Sequence, residues 1–503
     1  MLSGIYELVY IGWYFLFLQL KPIKQAMKKA MILLVLYISI TSLSAQKRIE
    51  GVWEGRLDAG TSSLRIVFHF DRQNNGLYEG SMDSPDQGVN GIHCDSVLVT
   101  KDSVIVKINA AFARLNGLRV KDSNIEGNWE QRGMKFPISL KLVTSVSNKP
   151  NRPQTPMPPF TYNSEEVEYD NADKSVHFGA TLTYPKGDGP FPAIIMITGS
   201  GLQDRDETIF EHKPFAVIAD YLTKRGFAVL RIDDRGMGKS KGDVMNATSA
   251  DFAKDVETSL AYLKNRKEVD KKRIGFIGHS EGGLIADMVA SRNPDINFII
   301  TLAGPGVKGA DILVQQNEAI FKADSLPNPA VDAYMELYKK IMNDAETNKD
   351  TALLYRTILN DFVQWKSRQS PEILTELNLS ADSIANKKIA KAFAKAFALP
   401  WMKYFIGADP RPYIEKLKCK VLALDGSKDL QVNASINLAA INQALKKSKS
   451  PSYETKEIPG LNHLFQHCKK CTVAEYSQIE ETFAPDALEI IGEWLDKNVN
   501  NKK

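Results

Sequence analysis

Gly278-His279-Ser280-Glu281-Gly282-Gly283 stands between the apolar run Ile274 to Ile277 and the helix-compatible run Leu284 to Ala290. A serine flanked by glycines at a strand-to-helix junction is a demanding turn. Strand and helix approach closely only where neighbouring residues lack a β-carbon, and the serine between them is held strained with its hydroxyl exposed. The segment therefore predicts a buried strand ending in an exposed nucleophile, Ser280, at the start of a helix.

The surrounding chain suits such a strand. Val176 to Tyr184, Ala193 to Ile197, Phe227 to Ile232, Phe298 to Leu302 and Val421 to Leu424 read as further buried strands. Phe215 to Leu222, Phe252 to Leu263 begun by Ser249, and Ile436 to Leu445 read as helices between them. Successive β-α units imply an α/β doubly wound, mostly parallel sheet, with ligands at the carboxyl ends of its strands. One interruption, about 307–417, carries no strand signal. Tyr334, Leu337, Tyr338 and Ile341 recur at helical spacing there, and so do Ile389, Phe393 and Phe397 before Pro400. This block reads as a helical cap insertion, and its Phe397, Trp401, Tyr404 and Phe405 are candidates for lining a substrate pocket.

The remaining chain divides by pattern. Residues 46–147 read as an N-terminal all-β domain, with Leu64, Ile66, Phe68 and Phe70 alternating against Arg65, Val67 and His69. Gly51-Val52-Trp53-Glu54-Gly55 resembles Gly127-Asn128-Trp129-Glu130, which suggests two tryptophan-bearing strands side by side. Five prolines between Asn148 and Phe160 mark an extended connector, so 148–164 is assigned as a Pro-rich linker and 165–503 as the α/β domain. A chain of 503 residues accommodates such a division.

Residues 1–45 are expected to be a signal or targeting segment, because Met27-Lys28-Lys29 precedes the apolar run Ala30 to Ile40 and then small residues at Ser42, Ser44 and Ala45. Met27 is the expected true start. The stretch Ile5 to Leu20 is short for a membrane anchor, the alternative reading, so no stable span is expected in the mature protein. Export to the periplasm or the medium follows. Without this segment 60 basic residues face 59 acidic ones, a balance that provides no electrostatic footprint for nucleic acid. Cys468 and Cys471 allow a local disulfide, but one C-x-x-C pair cannot complete a zinc site, and Cys94 and Cys419 read as structural.

A serine hydroxyl attacks only if a base takes its proton, so a carboxylate and a histidine should follow Ser280 in that order. After Val421 to Leu424 comes Asp425-Gly426-Ser427-Lys428-Asp429, and further on Pro459-Gly460-Leu461-Asn462-His463. Asp429, past the strand end, is preferred to Asp425 as the orienting carboxylate. His463 is preferred to His467 as the base, and His279 is expected to pack or bond to backbone. Negative charge developing on a substrate oxygen needs backbone donors. Glu281 supplies one amide and Ser200 the other, with Gly201 as the alternative in Thr198-Gly199-Ser200-Gly201. Arg235, with Asp204 or Asp233, is expected to brace the loops around them.

With these motifs the chain resembles the α/β-hydrolase superfamily and, within it, the EstD-type esterases grouped with serine aminopeptidase-like hydrolases. The resemblance rests on Gly199-Ser200-Gly201-Leu202-Gln203-Asp204-Arg205-Asp206, Asp233-Asp234-Arg235-Gly236-Met237-Gly238, the Ser280 segment, and Leu461-Asn462-His463-Leu464-Phe465-Gln466. The β-domain motif Asp83-Ser84-Pro85-Asp86-Gln87-Gly88 also fits that group. It implies hydrolysis of a small-molecule carboxylic ester by Ser280, Asp429 and His463, with no metal and no organic cofactor. Thr198 departs from the pattern, since many relatives have histidine there. Two rivals stay open: a peptidase or aminopeptidase on the same residues, and an envelope glycan-binding protein with a vestigial hydrolase fold. Neither the oligomeric state nor the acyl and alcohol preference is encoded legibly.

Overall fold

The inward alternation of the N-terminal domain closes on itself. In the computed structural model, which describes residues 49–500 except 60–61, 86–88, 101, 112, 132–133, 145–150, 325, 349, 378 and 380–382, this domain is a closed antiparallel barrel. The expected export segment, including Met27, lies outside the described residues, as do Asp86, Gln87 and Gly88. The strands are β1 (Gly51–Ala59), β2 (Ser62–Arg72), β3 (Tyr78–Ser84), β4 (Val89–His93), β5 (Ser96–Val99), β6 (Ser103–Ile108), β7 (Ala113–Lys121), β8 (Asn124–Gln131) and β9 (Met134–Val143). They run in the order β2-β1-β9-β8-β7-β6-β5-β3-β4, and β2 also pairs with β3, which shuts the barrel. Closure leaves few strand edges to aggregate. Trp53, Phe68, Phe70, Leu115 and Trp129 fill the interior.

The expectation that the two tryptophan strands are neighbours is corrected. β9 lies between β1 and β8, with Leu142 opposite Trp53 and Phe136 opposite Trp129. Similar segments recur because both tryptophans face the same core, which pairing does not require.

The second unit begins at Pro150. The proline-rich stretch lies against it: Arg152 donates to the carbonyls of Phe210, Ser477 and Ile479, and Gln154 accepts from the Thr482 amide. Its strands are β10 (Asn163–Asp170), β11 (His177–Tyr184), β12 (Phe191–Ile197), β13 (Ala228–Ile232), β14 (Val269–His279), β15 (Ile296–Leu302), β16 (Lys420–Gly426) and β17 (Tyr453–Ile458). The sheet order is β10-β11-β13-β12-β14-β15-β16-β17, with parallel pairing from β13 through β17. Winding runs outward from β12 to β13 and then returns to β14 on its other side. The carboxyl ends of β12 and β14 therefore flank a topological switch point, where ligands bind in such sheets.

Alternate residues of the central strands bury opposite faces. Ala193, Ile195 and Ile197 join α2 (Ser249–Lys264), α3 (Glu281–Ala290) and α11 (Ala434–Leu445) on one side; Ile194 and Met196 join α1 (Pro214–Lys224) and α12 (Pro485–Asn498) on the other. The start of α2 is set by a capping box in which Thr248 and Asp251 satisfy each other's free amides.

Between β15 and β16 the chain forms only helices among the described residues: α4 (Gly309–Ala323), α5 (Asn328–Thr347), α6 (Thr351–Ser367), α7 (Pro371–Glu376), α8 (Ser383–Ala398), α9 (Pro400–Gly407) and α10 (Arg411–Ile414). Tyr334, Leu337, Tyr338 and Ile341 are buried within this cap, and Phe393 stacks on Phe397 at 5.9 Å. The cap also buries two carboxyls beside each other. Lys340 binds Asp361 at 2.7 Å, while burial and the neighbouring Asp361 push Asp344 up to about 6. A carboxyl whose folded value is raised favours folding at low pH and loses that advantage as pH climbs through the raised value. Asp344→Asn, which mimics the protonated form, should therefore gain about 1 kcal/mol over the wild type between pH 5 and pH 8, allowing for solvent screening. Urea titrations at the two pH values measure this, and an unchanged difference would show that the pair carries no such cost.

Candidate active site

Ser280 sits at the junction of β14 and α3 with φ 52° and ψ −122°. Its amide donates to Leu302 O at 2.8 Å, which pins the turn to β15. The glycines leave the room that the turn needs. A β-carbon on Gly278 would lie 2.2 Å from Gly282 O, and one on Gly282 would lie 2.2 Å from Ile197 O. Strand, helix and β12 therefore meet backbone to backbone around the serine.

Asp429 and His463 reach the site from loops after β16 and β17. The imidazole Nδ1 lies 2.6 Å from Asp429 Oδ2, with both side chains almost fully buried. Asp429 Oδ1 accepts from the amides of Gln431 and Val432 at 2.6 and 2.9 Å, which orients the carboxylate. Asp425 instead points inside the fold, where burial, and next the charge of Asp429, raise its carboxyl well above the usual range. His467 is surface-exposed and pairs with Glu481 at 3.0 Å. Ser280 and His463 line one cavity, but among the described residues no hydrogen bond joins the hydroxyl to the imidazole. Such bonds commonly tighten only once substrate is bound.

The loop Thr198 to Gln203 faces Ser280 across this cavity. Among the described residues, neither the Ser200 amide nor the Glu281 amide has an acceptor, and Gly201, at φ 97°, shares that freedom. The loop is held from behind by a residue that sequence reading did not assign. Asp234 Oδ1 accepts from the Thr198 hydroxyl at 2.6 Å and Oδ2 from the Gln203 amide at 2.8 Å, so one carboxyl brackets the loop. Burial raises Asp234 well above the usual range. Thr198, the departure from the family pattern, thus acts as an anchor for the loop. The only hint in the sequence was the doubled Asp233-Asp234.

The expected brace by Arg235 is corrected. Arg235 pairs with Asp255 at 2.6 Å, whereas Arg205 grips Asp233 at 2.6 Å, and Asp204 binds the Thr208 hydroxyl at 2.7 Å within its own turn. Each arginine reaches out of its own loop, Arg205 to the loop after β13 and Arg235 to α2.

The cavity measures about 160 Å³. Its wall is mainly apolar, with Leu202, Phe252, Leu313, Trp401 and Phe405 among the lining residues. Phe397 and Tyr404 do not line it. Phe397 is buried in the cap, and Tyr404 packs against the core beneath α2 and α3, because the turn at Pro400 redirects the aromatic stripe. Trp401 does more than line the wall. Its indole N–H donates to both Glu281 oxygens at 2.9 and 3.0 Å, and Ser249 donates to Oε1 at 2.6 Å. Burial raises the Glu281 carboxyl despite these donors. Glu207 is engaged as well, accepting from the Gly199 amide at 2.7 Å and lying 3.0 Å from His279 Nδ1. Among the described residues no group of three or more His, Cys, Asp or Glu is placed to hold a metal ion, and no helix is long and apolar enough to cross a membrane. Cys468 and Cys471 are joined in a disulfide close after His463.

A family model described as serine aminopeptidase, S33 matches residues 211–467. Esterase EstD of Thermotoga maritima is 32% identical over 135 residues, 27% of this chain and 32% of that protein. Esterase FrsA of Klebsiella pneumoniae is 30% identical over 129 residues, 25% of this chain and 28% of that protein. The match thus spans about a third or less of the length of these relatives. A solved esterase of Pyrococcus furiosus is 16% identical, with a TM-score of 0.41 over 70% of this chain and 99% of that one.

Proposed function

Since the chain belongs to the serine aminopeptidase, S33 family, within the α/β-hydrolase superfamily, we propose that it cleaves small, uncharged carboxylic esters through an acyl-enzyme. In this reading His463 Nε2 takes the Ser280 proton as Oγ attacks the ester carbonyl, while Asp429 holds the ring and steadies the imidazolium. The Ser200 and Glu281 amides receive the oxyanion. The imidazolium returns its proton to the departing alcohol, and water, activated in the same way, releases the acid.

The observation that carries ester over aminopeptidase is the state of the cavity's two carboxylates. A substrate ammonium needs a free acceptor, yet Glu207 is committed to Gly199 and His279, and Glu281 to Trp401 and Ser249. Among the described residues the lining includes no lysine or arginine to favour an anionic acyl group. A cavity of about 160 Å³ compares with the roughly 150 Å³ that admits a benzene ring, so a short or single-ring acyl group fits best.

Nitrophenyl esters of increasing acyl length, assayed beside aminoacyl amides, test this. Turnover should peak at short acyl chains and fall at least about tenfold for amides. Faster amide cleavage would transfer the assignment to the peptidase. A fluorophosphonate should label Ser280 alone, and a silent probe would favour a binding protein.

We place the mature protein outside the cytoplasm, on the Met27 to Ala45 pattern and a Cys468–Cys471 disulfide that suits an oxidising compartment. Determining the N-terminus of the protein from fractionated cells tests this, and an intact leader in the cytosolic fraction would overturn it.

A further inference from the structure

His279, next to the nucleophile in sequence, has no part in the proton transfers above. Its surroundings nevertheless make an unusual demand. At the end of β14 its Nδ1 lies 3.0 Å from Glu207 Oε1 and its Nε2 lies 3.0 Å from the carbonyl oxygen of His463. Both partners are acceptors: the carbonyl has no hydrogen to give, and the same Glu207 oxygen already receives the Gly199 amide at 2.7 Å. A neutral imidazole carries one N–H and would set a bare nitrogen against one of these oxygens. Only the imidazolium satisfies both. The side chains of His279 and Glu207 are 10% and 5% exposed, so an uncompensated acceptor pair would be costly there.

We propose that His279 is a positioning residue, protonated at neutral pH, whose ion pair with Glu207 ties three catalytic segments together. The oxyanion loop is held at Gly199, the nucleophile strand at His279 itself, and the base loop at the His463 carbonyl. The ring of His279 stands 4.8 Å from that of His463, close enough for any tilt to be felt by the base. This rests on the proposed hydrolysis but goes beyond it, because it assigns a charge and a role to a residue outside the Ser280, Asp429 and His463 set.

A pH signature follows. The charged groups facing His279 are Glu207 from the loop after β12 and, behind His463, Asp429 from the loop after β16. Burial alone would lower the imidazole; the Glu207 charge and the two hydrogen bonds reverse this, so the net shift is upward from about 6.5. A group raised in this way gives its full support at and below its ordinary value and loses it as pH climbs through the raised one. Activity should therefore fall along an alkaline limb that reports loss of the His279 proton with its clamp.

The test joins two readouts on the full-length protein. With 15N-labelled histidine, NMR at neutral pH should find both His279 ring nitrogens protonated, using His279→Asn to assign the signal. In Glu207→Gln the alkaline limb of kcat/KM should move to lower pH, and kcat should fall about 100-fold with KM little changed. Thermal melts confirm that the variant is folded; if it is not, the nitrogen count in the wild type decides. A single ring proton at neutral pH, or an alkaline limb unmoved in folded Glu207→Gln, overturns the proposal. Ester hydrolysis absent in the wild type at every pH would instead refute the proposed function, leaving the protonation of His279 to be judged by NMR.

Discussion

Ser280→Ala is expected to lower kcat toward esters about a million-fold, with the fold intact. Removing one oxygen leaves the turn's backbone and its glycines unchanged, so no structural loss accompanies the chemical one. Alanine is also the milder residue to strain at φ 52°, because serine already carries a β-carbon there. Asp429→Asn should cost about ten-thousand-fold, since an amide facing Nδ1 at 2.6 Å turns the imidazole to the wrong tautomer. Asp425→Asn is the discriminating control. Burial and the Asp429 charge raise its carboxyl well above the usual range, so an amide of like size suits the same place, and activity should stay within about threefold. Steady-state kinetics on one short ester check all three variants. Equal losses at Asp425 and Asp429 would transfer the orienting role to the pair, and wild-type turnover in Ser280→Ala would dismantle the nucleophile assignment.

Gly282→Ala should be among the most damaging conservative changes in the scaffold. Its new methyl would stand 2.2 Å from Ile197 O and 2.6 Å from Thr198 O, backbone atoms that cannot swing aside. Either α3 or the end of β12 must shift. Because β12 runs straight into the Thr198 to Gln203 loop, the shift reaches the amides opposite Ser280. A stability loss of about 3 kcal/mol or more is expected. Of the activity that survives, kcat/KM should fall about 100-fold. Gly407→Ala, at the end of α9 with no atom within 4 Å of the added carbon, serves as the contrast and should be neutral or stabilising by up to about 1 kcal/mol. Denaturant melts of both proteins separate a steric effect from a generic intolerance of alanine. Equal behaviour would mean that the elbow yields more easily than its backbone contacts suggest.

Local pattern exposes much of this architecture. Ala193 to Ile197, Ile274 to Ile277 and Val421 to Leu424 are continuous apolar runs because their strands are buried on both faces, and such runs read as strands without further context. The edge strand β10 is nearly silent for the opposite reason. It alternates between half-buried and exposed residues, and Glu165, Glu166 and Glu168 on it suit an edge that must not recruit other chains. Barrel closure is equally hidden, since the β2 to β3 pairing and the β9 strand between Trp53 and Trp129 depend on register, which alternation alone leaves open.

By itself the sequence determined the central strands with the helices between them and the strained serine turn, and it ranked Asp429 and His463 first, because each reading depends on residues close together in the chain. Only the tertiary structure decided which acids brace which loops. Asp234 rather than Arg235 anchors the Thr198 to Gln203 loop, Trp401 and Phe405 but not Phe397 or Tyr404 reach the cavity, and Glu207 meets His279 across 72 positions. Those pairings depend on where separate strand ends converge, and residue type and local period do not record that convergence.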